Sequence, residues 1–112
     1  MEIQQSITDG VTVVALIGRL NTTSTSEFEE KTRELTSGPI ILDLSRLEYV
    51  SSSGLRVFLQ LKRDCAKRNT PIVFAGSSGS VAKVILMSGF ENIFSRYPTV
   101  ADALLGVAAG SA

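Results

Sequence analysis

Three consecutive serines, Ser51, Ser52 and Ser53, followed by Gly54 and Leu55, are the residues whose type and spacing best suit chemistry. Before them lies Pro39-Ile40-Ile41-Leu42-Asp43-Leu44, an apolar run of strand length. After them, Leu55 to Arg68 carries apolar residues at Leu55, Phe58, Leu59, Leu61 and Cys65, with basic residues gathered at its far end. The order reads as strand, turn, helix. A helix start leaves backbone N–H groups without partners and carries a partial positive charge. A serine hydroxyl there caps the helix, and a phosphate is tolerated beside it. Two roles therefore stand open for the turn: a plain N-cap, or a hydroxyl modified by another enzyme. A nucleophilic role is disfavoured, because the chain has no histidine to activate the hydroxyl and the Gly-x-Ser-x-Gly frame is missing.

Other candidates are weaker. Gly76-Ser77-Ser78-Gly79-Ser80 invites comparison with a phosphate loop, but lacks the closing Gly-Lys-Ser/Thr. A strand-to-helix turn with a serine cap explains it without a ligand. Glu27, Glu29 and Glu30 read as a solvated helix start suited to the dipole, with no partner ligands nearby to make a metal site. Asp43 lacks the neighbouring acids of a phospho-accepting receiver site. Cys65 falls on the apolar face of its helix and reads as a small core residue. Arg56 stands in the first turn after the serines, where it is either solvated or set against something negative.

The elements that must position these residues follow from periodicity. Ile3 to Ile7 suits a short edge strand, Asp9-Gly10 is a hairpin signal, and Val11 to Ile17 is apolar enough for a central strand. Gly18-Arg19-Leu20-Asn21 is expected to leave the sheet. Ser24 followed by Glu27 fits a capping box for a helix over Thr25 to Ser37, closed by Gly38. Thr70 to Ala75 is another strand, and a helix with Val81, Val84, Ile85 and Leu86 stops at Gly89. Ile93-Phe94 is expected to be the last strand. A final helix runs from Pro98 to about Val107, with Ala108 to Ala112 frayed. The order β-β-α-β-α-β-α-β-α implies an α/β fold with a mixed, mainly parallel sheet and an N-terminal hairpin.

With 112 residues the chain is expected to be one domain, residues 1–112. Its formal net charge of zero gives no basic face for nucleic acid. No apolar run approaches the roughly 20 residues of a membrane helix, and the start lacks the layout of a signal peptide. A cytoplasmic protein with no membrane contact, no metal and no cofactor is the expectation. One cysteine excludes an internal disulfide.

The segment Asp43-Leu44-Ser45-Arg46-Leu47-Glu48-Tyr49-Val50-Ser51-Ser52-Ser53-Gly54-Leu55 resembles the signature of the anti-sigma factor antagonists of the STAS family, approximately D-L-S-x-L-x-x-[MLVI]-D-S-[SA]-G-L. Leu16-Ile17-Gly18-Arg19-Leu20 resembles the family's L-x-G-x-[LIF]-D turn, and Met87-Ser88-Gly89-Phe90 its M-S-G-[LF] helix end. The element order agrees, so the resemblance spans essentially the whole chain. It implies a non-enzymatic switch protein. Unphosphorylated, such a domain binds an anti-sigma factor that is also its serine kinase, and a PP2C-type phosphatase reverses the kinase. The phosphorylated serine would be Ser52, with Ser51 and Ser53 as alternatives. The docking surface would include Asn21, Thr22, Ser51, Ser52, Ser53, Gly54 and Arg56. The family's Asp before the phospho-serine is Ser51 here, and its Asp ending the first turn is Asn21. Those two departures keep a second reading open, a constitutive STAS interaction subunit such as a component of a lipid-transport ATPase complex. A nucleotide sensor built on Gly76 to Ser80 and the serine turn is a third.

Overall fold

The computed structural model describes residues 1–35 and 38–110. Strands β1 (Glu2–Thr8) and β2 (Val11–Leu20) form an antiparallel hairpin in which Thr8 faces Val11. Asp9 and Gly10 both take positive φ, 51° and 80°. This is the two-residue turn whose twist matches the strands it joins. Helix α1 (Thr25–Arg33) follows, then β3 (Ile40–Asp43), β4 (Leu47–Val50), α2 (Ser52–Lys67), β5 (Ile72–Ala75) and α3 (Gly79–Met87). A 3₁₀ turn at Phe90–Asn92, β6 (Arg96–Tyr97) and α4 (Val100–Gly110) complete the described chain. The sheet order is β1-β2-β3-β5-β6, parallel except for the hairpin. The α/β fold with a mixed, mainly parallel sheet is as the sequence implies.

Strands β3 and β5 are buried on both faces, which is why each is a continuous apolar run. One face of the sheet packs on α1, α2 and α3 through Phe28, Phe58, Leu61, Val81 and Ile85. The other packs on α4, where Ala103 and Val107 meet Val11, Val13, Ile41 and Val73. All five phenylalanines form one chain of ring contacts: Phe28 to Phe58 at 5.7 Å, Phe58 to Phe74 at 5.2 Å, Phe74 to Phe94 at 4.2 Å and Phe94 to Phe90 at 5.7 Å. Among the described residues no helix is long and apolar enough to cross a membrane.

Four local expectations need correction. Gly18–Leu20 does not leave the sheet but pairs with β4, an element the sequence did not signal. Ten-residue β2 outruns four-residue β3, and its surplus backbone groups need partners. The segment after β3 supplies them: Gly18 N–H donates to the Arg46 carbonyl at 3.0 Å, and the Leu20 carbonyl accepts from Ser51 N–H at 2.8 Å. Ile93-Phe94 is not a strand, because both N–H groups bond back to the Phe90 carbonyl in a tight turn. The strand forms two residues later, as Arg96 and Tyr97 pair with Phe74 and Ala75. Helix α1 ends at Arg33, and the expected end at Ser37 lies outside the described residues. Helix α4 continues through Gly110, past the expected fray point, while 111 and 112 are likewise outside.

Cys65 is fully buried. Burial pushes its thiol pKa above the ordinary 9.0, against the opposing hydrogen bond from Arg68 Nη2 at 3.6 Å. A raised folded pKa contributes stability in full below the unfolded thiol's pKa, and that contribution is lost as pH rises through the folded value. Two results are expected: stability falls as pH climbs beyond about 9, and a thiol reagent labels Cys65 only as fast as the protein unfolds. Rapid labelling in native buffer would contradict the burial.

Candidate functional site

Two helix starts converge where β2 and β4 end. At the first, Asn21 Oδ1 accepts from the N–H groups of Thr23 and Ser24, both at 3.0 Å, while Ser24 Oγ accepts from Asn21 N–H at 2.9 Å. Thr25 N–H already bonds the Asn21 carbonyl at 3.0 Å, in helical register. Asn21 is thus the working cap, one turn before the Ser24–Glu27 box that the sequence suggested. Ser24 cannot serve as that cap, because its backbone is already helical (φ −85°, ψ −11°) and its hydroxyl donates back to the Arg19 carbonyl at 2.8 Å. Removing an N-cap acceptor costs about 1 kcal/mol. Asn21→Ala is therefore expected to lower unfolding free energy by about that much in urea titration, and Asn21→Asp, which keeps the acceptor, by much less.

At the second start, Ser51 is extended (φ −88°, ψ 171°) and its Oγ accepts from Gly54 N–H at 3.2 Å. Its own N–H is spent on Leu20, and its carbonyl takes Leu55 N–H. Ser52 is the first helical residue and is exposed, whereas Ser53 is half-buried. Their N–H groups take no part in the bonds of this turn, and they remain as the free donors of the helix start. So the three serines divide their work. Ser51 caps, Ser52 presents a hydroxyl to solvent, and Ser53 lies at the edge of a cleft.

That cleft, about 220 Å³, runs between α1 and α2 and is lined by Thr25, Glu29, Ser53, Arg56, Val57 and Gln60. Exposed Arg56 thus lies on the same surface as the serine turn, as does exposed Thr22 beside Asn21. Gly54 is not on that surface. It is buried, and a Cβ there would meet Leu20 and Val50 side chains at 2.8 and 2.9 Å. Its role is to let α2 start hard against the ends of β2 and β4.

Two surface residues escaped the sequence reading. Arg19 and Tyr49 are cross-strand partners in the β2–β4 pairing, with the guanidinium 4.4 Å from the ring centre. Both are exposed and stand two residues before Asn21 and Ser51 respectively. Only knowledge of β4 would have joined them.

The remaining candidates are not gathered here. Ser78 makes no capping bond with its side chain, contrary to the serine cap expected for the Gly76–Ser80 loop. Ser80 Oγ instead donates to the Glu48 carbonyl at 3.3 Å, tying α3 to β4. Glu29 makes an exposed ion pair with Arg33 at 3.7 Å. Among the described residues no three His, Cys, Asp or Glu side chains converge as metal ligands.

Residues 2–103 match the family described as STAS domain. The Bordetella bronchiseptica protein BtrV, whose name describes an anti-sigma factor antagonist, is 31% identical over 97 residues, covering 84% of each chain. RsfB of Mycobacterium tuberculosis, named an anti-sigma-F factor antagonist, is 27% identical over 105 residues, covering 91% of this chain and 85% of its own. Among solved structures, the anti-sigma factor antagonist SpoIIAA of Bacillus superposes in its unphosphorylated form with a TM-score of 0.84 at 22% identity, covering 96% of this chain and 97% of its own. Its phosphorylated form superposes with a TM-score of 0.75, again at 22% identity, covering 95% and 99%.

Proposed function

The chain belongs to the STAS domain family, and we propose that it is an anti-sigma factor antagonist, a single-domain cytoplasmic binding module switched by phosphorylation of Ser52. The observation that carries this reading is the serine turn itself. An exposed hydroxyl stands at the first position of α2, beside two free N–H groups and next to the Asn21 cap. Unphosphorylated, this surface docks on an anti-sigma factor that is also a serine kinase. Phosphate adds about −1.5 to −2 charges, and the Ser52 and Ser53 N–H groups can receive part of it without unfolding the helix. The charge then acts mainly on the docked partner, and a PP2C-type phosphatase resets the module. The names of BtrV and RsfB support the antagonist role, and the two forms of SpoIIAA support the switch.

Asn21 and Ser51 stand where the family signature has acids, and both still cap their helices. The turn is therefore kept in shape without the charge. That favours one second reading, a constitutive interaction subunit with the same surface and no working phosphorylation. Incubating the protein with ATP and the kinase it captures, then mapping phosphopeptides, separates the two. Phosphate on Ser52 supports the switch. A stable complex with no phosphate on Ser51, Ser52 or Ser53 leaves the constitutive subunit.

A further inference from the structure

We propose that β1 is a self-association edge, on which two copies pair antiparallel about a two-fold axis centred on Gln5. Strand β1 ends the sheet order, and six of its seven residues are exposed. Edge strands are normally blunted by charge, proline or a bulge, yet no charged residue or proline occurs from Ile3 to Thr8. Ile7 is 74% exposed, an apolar side chain that the fold itself leaves uncovered.

The hydrogen-bond parity of the hairpin selects the register. Thr12 and Gly18 N–H groups leave β2 toward Pro39 and Arg46, so even-numbered β2 residues face β3 and β4. Odd-numbered β2 residues therefore face β1, and their partners there are Glu2, Gln4, Ser6 and Thr8. The N–H and C=O groups of Ile3, Gln5 and Ile7 are left pointing outward. Centring a second β1 on Gln5 gives the greatest overlap, with Gln5 on Gln5, Ile3 on Ile7 and Gln4 on Ser6. It is also a register in which all the outward groups meet, for about six hydrogen bonds. Ile3 already packs at the margin of the main core. Opposite it, the partner's Ile7 gains the apolar neighbour it lacks, on the same face of a continuous two-copy sheet. Strand β4 lies on the other side of β2, so the serine turns stay free.

One strand per copy makes a contact of the weak, reversible class, at or below about 1,000 Å² in total. Sedimentation over a concentration series up to about 1 mM is expected to show a mass rising from one chain toward two. Amide exchange should slow with concentration at Ile3, Gln5 and Ile7, and not at the even positions between them. Gln5→Pro removes only an outward donor, which an edge strand tolerates, and is expected to give a folded monomer. Ile7→Lys, which leaves the backbone intact, should lower association at least tenfold. A wild-type mass of one chain at every concentration would overturn the proposal. So would association unchanged in Ile7→Lys, or protection without the odd-residue alternation.

Discussion

Replacing Ser52 with Asp is expected to weaken binding to the proposed partner kinase by two orders of magnitude or more, while Ser52→Ala stays within about 0.5 kcal/mol of wild type. An unpaired carboxylate or like charge at a docked surface costs several kcal/mol, and each 1.4 kcal/mol is tenfold in affinity. The isolated domain should respond in the opposite sense. At the first position of α2 the new carboxylate faces free N–H groups, and an acid there stabilises a helix by about 0.3–1 kcal/mol. A variant that is slightly more stable yet no longer binds cannot be explained as misfolded. Titration calorimetry with the captured kinase and a urea melt of the free protein give both numbers. Equal binding by wild type, Ser52→Ala and Ser52→Asp would instead leave a scaffold without a switch.

Phe58→Ala is expected to cost about 3–5 kcal/mol, a large share of the roughly 5–15 kcal/mol that holds a domain together. Phe58 is fully buried and is the link between the rings of Phe28 on α1 and Phe74 on β5. Its removal leaves a void bounded by three different elements, which cannot all collapse at once. The melting temperature should fall by roughly 15 °C or more. A loss under about 2 kcal/mol would mean that neighbouring side chains refill the space.

The alternation of apolar strands with periodic helices made the architecture legible, and Ser51-Ser52-Ser53-Gly54 announced a helix start. The β2–β4 pairing was not legible. Leu47-Glu48-Tyr49-Val50 is too short and too irregular to read as a strand, and the need for it comes from the length of another element. The cap of α1 is misplaced by one turn for a related reason: Asn21 and Ser24 hold each other in both directions, and only the backbone geometry shows that Ser24 is already helical. Arg19 and Tyr49 are 30 positions apart, joined by a register no local pattern encodes.

If the proposed antagonist role holds, the overhang of β2 beyond β3 bears on how several such proteins keep apart in one cell. The ring chain of five phenylalanines and the main sheet carry the folding load. The overhang with β4 carries exposed Arg19 and Tyr49, and exposed Thr22 and Ser52 follow just beyond the two strand ends. Substitutions at exposed positions of this kind usually cost within about 0.5 kcal/mol. On the proposed reading, a duplicated gene could therefore drift in its choice of partner while keeping its fold, and cross-talk between sister copies could be silenced by a few changes at this ledge.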